Sequence, residues 1–105
     1  GFKWLEANDY QHSTYAYIRF AKDRSNPVIV AFNFTPVVRE GYRLGVPKPG
    51  TYAEVLNSDS NYYGGGNVVN GSVEAEWMPW QGYGHSINIT LPPLGIVILK
   101  PQSND

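Results

Sequence analysis

The sequence contains no cysteine in 105 residues. That excludes disulfides and thiolate metal centres as ways of holding the fold together, and it fits a reducing cytoplasm. An excess of either charge is missing too. At a net charge of −1, the chain has no electrostatic reason to bind a nucleic-acid backbone. No apolar run approaches the roughly 20 residues that cross a bilayer, so no membrane partner is expected. The opening Gly1-Phe2-Lys3-Trp4 has no signal-peptide pattern and no initiator Met. The sequence therefore reads as one domain, residues 1–105, excised from a longer protein. Amphipathic helical periodicity is also lacking.

What the chain does have is strand signals. At this length, folding buries roughly two-thirds of the extended surface, enough for one core. From Thr14 to Lys22 the side chains alternate. Ala16, Ile18 and Phe20 are expected to face inward, with Tyr15, Tyr17 and Arg19 on the other side. Asn26-Pro27 turns the chain into Val28–Phe32, a run apolar on both faces that predicts a central strand. It stops at Asn33-Phe34-Thr35-Pro36, because Pro36 cannot donate to a ladder. Tyr42, Leu44 and Val46 alternate with Arg43 and Gly45, and Pro47-Lys48-Pro49-Gly50 is a turn. Thr51–Asn57 gives another strand. Ile87, Ile89 and Leu91 alternate until Pro92-Pro93, and Gly95–Leu99 is a last apolar strand whose Ile98 is expected in the core. Short strands separated by Gly/Pro turns argue for an antiparallel β-sandwich. Residues 58–76, with Gly64-Gly65-Gly66 and Asn70-Gly71, form a long connection, of which Asp59 to Glu76 is expected to be the least rigid part of the chain.

Sites of known chemistry are sparse. Glycoside chemistry needs two carboxylates across a bond. Glu74 and Glu76 share a face if they lie on a strand, and such pairs are usually solvated surface. His12 and His85 are the only histidines and lack triad or metal-ligand spacing. The glycine triplet lacks the Lys-Ser/Thr ending of a phosphate loop. No catalytic, cofactor-binding or metal residue is therefore assigned. Sequons at Asn33, Asn70 and Asn88 read as chance, since nothing marks a secreted surface. The aromatic set Tyr62, Tyr63, Trp77, Trp80 and Tyr83 around the long connection is the one candidate. Flat rings stack on the C–H faces of sugars, but Trp and Tyr also fill cores and domain interfaces. Exposure of the Trp rings separates these two readings.

In chain order, the segments Gly1-Phe2-Lys3-Trp4-Leu5, Asn33-Phe34-Thr35-Pro36, Tyr42-Arg43-Leu44-Gly45-Val46-Pro47, Glu54-Val55-Leu56-Asn57-Ser58-Asp59, Tyr63-Gly64-Gly65 and Leu91-Pro92-Pro93-Leu94 form an ordered set. Together they resemble the C-terminal domain of bacterial 1,4-α-glucan (glycogen) branching enzymes, members of the α-amylase superfamily. The resemblance implies a Greek-key β-sandwich packed on a (β/α)8 catalytic barrel of the same parent chain. In that family the barrel supplies the Asp nucleophile and the Glu acid/base that cut an α-1,4 linkage and transfer the chain to a 6-hydroxyl. None of those carboxylates maps onto this sequence. Two roles remain. In the first, the domain stabilises the barrel, the aromatic loop fills the interface, and excision exposes a large apolar patch. In the second, it is an accessory module that binds α-glucan chains. The alternative parent is another α-amylase-superfamily enzyme, such as a debranching enzyme, with this as its equivalent domain.

Overall fold

The computed structural model describes residues 2–9, 14–20, 27–59, 65, 66 and 68–102. They form eight strands: β1 (Phe2–Asp9), β2 (Thr14–Arg19), β3 (Val28–Asn33), β4 (Arg39–Val46), β5 (Thr51–Asn57), β6 (Ser72–Glu74), β7 (His85–Leu91) and β8 (Gly95–Pro101). No helix is present among the described residues, so none there is long and apolar enough to cross a membrane.

Six strands make one sheet in the order β1-β2-β3-β8-β5-β6, and β4 and β7 make a second, two-stranded sheet. All pairings are antiparallel. Just after β6, Glu76 bridges to Ser86 of β7. Strands β5, β6 and β7 thus follow one another in space while β8 returns to lie beside β5, which is a Greek key. The run read as a central strand, β3, and the last apolar strand, β8, are neighbours in the middle of the large sheet.

The core lies between the sheets. The small sheet contributes Leu44, Val46, Ile87, Ile89 and Leu91, and the large sheet Ala16, Ile18, Ile29, Ala31, Tyr52, Val97 and Leu99. Period-2 alternation explains this division. In β2, Thr14, Ala16 and Ile18 are buried while Tyr15 and Tyr17 are only half-buried. Each fully buried Leu or Ile here contributes about 1.5–3 kcal/mol through desolvation. Phe20 packs against the edge of this core as its position predicts.

Three expectations need correction or completion. Ile98 is not in the core. Val97 and Leu99 are the fully buried residues of β8, so Ile98 must point to the opposite face of the sheet. Strand β1 is absent from the sequence reading because its register against β2 shifts between Trp4 and Glu6 and again between Glu6 and Asp9. Such bulges break the alternation on which strand assignment depends. β6 is three residues long, too short for any periodicity.

The described part of the 58–76 connection is also tightly held. The Asp59 carboxylate accepts from Gly66 N–H at 3.1 Å and Val68 N–H at 2.9 Å. The Glu54 carboxylate accepts from Asn70 N–H at 3.2 Å and from Asn70 Nδ2 at 2.8 Å. Asn70 in turn clips onto β7, donating to Thr90 O at 2.9 Å and accepting from Thr90 N–H at 2.7 Å. Carboxylate acceptors give hydrogen bonds about twice as strong as neutral ones. Gly66, Val68 and Asn70 thus have defined anchors within a connection whose glycine content suggests freedom.

Candidate functional site

The aromatic set of the sequence divides. Tyr62 and Tyr63 lie outside the described residues. Trp77, Trp80 and Tyr83 sit on one short segment that crosses the outer side of the β4–β7 sheet. A tight turn shapes it. Trp80 N–H donates to Tyr83 O at 2.9 Å and Tyr83 N–H returns to Trp80 O at 3.0 Å. The two central residues, Gln81 (φ 53°) and Gly82 (φ 87°), are both in the left-handed region, as a type I′ turn requires. The segment is seated on Gly45. A Cβ at that position would lie 2.1 Å from Trp80 O, so only glycine permits the approach. Gly45 N–H also donates to Gln81 Oε1 at 2.9 Å.

Trp77 is 85% exposed and Trp80 45%, with Met78 beside them at 43%. Trp77 meets the His85 ring at a centroid distance of 4.3 Å, and His85 Nε2 is buried without a hydrogen-bond partner among the described residues. Tyr83 turns toward the core, and Lys3 Nζ lies 4.4 Å from its ring centroid, a cation–π contact. Trp77 and Trp80 are thus the accessible rings, and Tyr83 is a packing residue.

The carboxylates on the same side have structural partners. Glu74 accepts from Thr51 Oγ1 across the β5–β6 pair. Glu76 forms a 3.0 Å ion pair with Arg43, whose Nη1 also donates to Ser86 Oγ at 2.7 Å. The two acids therefore engage different strands and do not converge on a shared substrate position. Among the described residues, no group of three or more His, Asp or Glu side chains is placed to hold a metal. Asn33, one of the sequon asparagines, is fully buried. Its amide donates to Val37 O and Pro92 O, and its Oδ1 accepts from Thr35 N–H and Oγ1. With its amide so engaged it offers nothing to modification, and it ties β3 to the turn before β8.

A second aromatic group escaped the sequence reading. Tyr15, Tyr17, Phe32 and Phe34 come together on the face of the large sheet turned away from β4 and β7. The Phe32–Phe34 centroids are 5.8 Å apart with planes at 13°, Tyr15–Phe34 5.7 Å and Tyr17–Phe32 6.0 Å. These residues lie far apart in sequence and meet only through the β2–β3 register, which pairs Tyr15 with Phe32. The signal available was the two-faced apolar character of β3 and β8, together with the tyrosines opposite Ala16 and Ile18.

The all-β architecture agrees with what the comparisons with known proteins found. The family profile described as "Alpha amylase, C-terminal all-beta domain" matches residues 4–102. The chain belongs to this family. As an alpha-amylase C-terminal all-beta domain it is similar to 1,4-alpha-glucan branching enzymes of several bacteria. That of Thiobacillus denitrificans is 50% identical over 102 residues, covering 96% of this chain and 14% of that protein. That of Rubrobacter xylanophilus is 51% identical over 102 residues, covering 97% and 14%. That of Methylobacillus flagellatus is 49% identical over 102 residues, covering 96% and 14%. The chain thus spans about one-seventh of the length of these relatives.

Proposed function

We propose that this chain is the C-terminal domain of a bacterial 1,4-α-glucan branching enzyme, a cytoplasmic glycosyltransferase of glycogen biosynthesis. The domain itself is non-catalytic and stabilises the (β/α)8 barrel that forms α-1,6 branches. The observation that carries this reading is half identity, over nearly the whole chain, to several proteins named as branching enzymes. The side chains support it in detail. Glu74 and Glu76 are taken up by Thr51 and Arg43, whereas glycosyl transfer needs two carboxylates facing one bond. Residues 1–105 then constitute one domain, and the catalytic carboxylates belong to the barrel.

The test is deletion of these residues from the parent enzyme. The expected result is a shortened thermal half-life of branching activity, because a packed neighbour that binds the folded barrel stabilises it. An unchanged half-life and unchanged activity would refute the stabilising role.

One observation favours an additional reading. Trp77 is 85% exposed, and Trp80 and Met78 are exposed beside it. Exposed apolar rings of this kind suit stacking against an α-glucan chain, with Tyr62 and Tyr63 as further candidates from the sequence. Titration with maltoheptaose checks it. A saturable shift of the Trp77 or Trp80 signals in the millimolar range, on the order of 4 kcal/mol of binding, supports glucan contact. Unmoved signals eliminate it.

A further inference from the structure

The face of the large sheet opposite the core presents an apolar surface that no element among the described residues covers. The register defines it. Ala31, paired with Val97, points into the core. Phe32, paired with Ile96 and Tyr15, therefore points out. One step along, Tyr17, Val30, Ile98 and Leu56 stand side by side across four strands, with Val30 itself buried and the other three half-buried. At one end of this face Phe34 is 60% exposed and Leu94 70% exposed. A groove of about 380 Å³ runs between them, lined by Phe32, Phe34, Ser58, Leu94, Gly95 and Ile96.

Leu94 is the most informative of these residues. Its φ of 48° lies in the left-handed region, which disfavours a leucine, and its side chain is largely in water. Its backbone N–H donates to Thr35 O at 2.8 Å, so the turn is held from within the domain, while the side chain it presents is apolar and 70% exposed. An apolar side chain held out into water next to the exposed Phe34 points to a contact outside this domain.

We propose that this sheet face is the seat of the rest of the parent chain, with Phe34 and Leu94 as its anchors. This rests on the reading of the chain as one domain of a branching enzyme, and it assigns the barrel to this face instead of to the aromatic segment at Trp77 and Trp80. The two surfaces are on opposite sides of the sandwich. Lys3, which reaches Tyr83, is in register with the core-facing Ile18, so that segment lies on the β4–β7 side.

Size and context select the occupant. Five long strands at about 4.8 Å spacing and about 20 Å length present roughly 500 Å². Covering both partners buries on the order of 1,000 Å², within the range of interdomain contacts inside one chain. It falls short of the roughly 1,200–2,000 Å² of a stable interface between separate molecules. A tethered partner therefore suits this face better than a second copy does. The relatives supply one, since this chain spans only 14% of their length.

Hydroxyl-radical footprinting of the intact parent and of the 105-residue chain tests the assignment. In the parent, Phe34, Leu94 and Tyr15 should be oxidised several-fold more slowly than in the 105-residue chain, while Trp77 should react equally in both. The variant Leu94→Lys alters a side chain that is 70% exposed and lies outside the aromatic group, so the 105-residue chain should keep its melting profile. In the parent the variant should restore Tyr15 reactivity. Full reactivity of Phe34 and Leu94 in a parent that still branches amylose would overturn the face assignment and leave the functional reading intact. Protection that disappears on dilution would mean a second copy and would also overturn it. A parent with no branching activity would remove the functional reading, while the footprint would still report whether this face is covered.

Discussion

Replacing Gly45 by alanine adds one methyl group where the structure has no space for it. The new Cβ would stand 2.1 Å from Trp80 O and 3.0 Å from its carbonyl carbon, against an ordinary contact of 3.4 Å or more. The 77–83 segment must then retreat by about 1 Å or the β4–β7 pair must distort. The obstacle is backbone, so no rotamer change relieves it. Overpacking of this kind costs about 1–3 kcal/mol. Losing the 2.9 Å bond from Gly45 N–H to Gln81 adds about 1 kcal/mol. A total of about 2–4 kcal/mol corresponds to a fall in melting temperature of roughly 10–25 °C for a domain near this size. Urea unfolding followed by tryptophan fluorescence measures it, since Trp77 and Trp80 ride on the displaced segment. Gly84→Ala is the matched control, because a Cβ there meets nothing within 4 Å, and it should change stability by less than about 0.5 kcal/mol. If Gly45→Ala behaves like Gly84→Ala, the aromatic segment is not seated on β4 as described.

Leu99→Ala should cost the chain about 2–5 kcal/mol through a cavity in the core. Ile98→Ala, on the outer face, should cost clearly less in the isolated chain and more within the parent; equal losses in the isolated chain would contradict the facing of β8. Burial pushes the Tyr52 phenol up to about 12, opposed in part by its hydrogen bond with Lys48. The folded state thus holds this proton more tightly than the unfolded chain does. The stability it contributes is fully present below pH 10 and falls by on the order of 2 kcal/mol as pH rises toward 12. Urea midpoints of Tyr52→Phe should lack that share of the alkaline loss; identical profiles would contradict it. Amide exchange should show protection at Gly66, Val68 and Asn70, whose N–H groups reach the carboxylates of Asp59 and Glu54. Glu54→Ala should abolish protection at Asn70, and free exchange there in the unmodified chain would refute the anchoring.

Most of the sandwich was legible because its strands keep strict alternation. In β2 and β7, every second residue is buried or nearly so, and proline or glycine marks most turns. Legibility failed where alternation did. β1 carries two register shifts, and β8 is apolar at successive positions, so its sequence does not reveal whether Val97 or Ile98 faces the core. Side-chain acceptors misled in another way. Gly64-Gly65-Gly66 and Asn70-Gly71 advertise freedom, but Glu54 and Asp59, distant in sequence from their partners, hold the described part of that connection. The candidate site followed the same pattern. Trp77, Trp80 and Tyr83 were visible as neighbours in sequence, whereas Tyr15, Phe32 and Phe34 assemble only through sheet register.

The central claim is that the chemistry of branching resides outside this domain. Purified 105-residue chain, free of parent enzyme, should be incubated with amylose and the α-1,6 anomeric signal followed by proton NMR beside the intact parent. The account predicts growth of that signal with the parent and none with the 105-residue chain. New α-1,6 linkages formed by the 105-residue chain alone would contradict it.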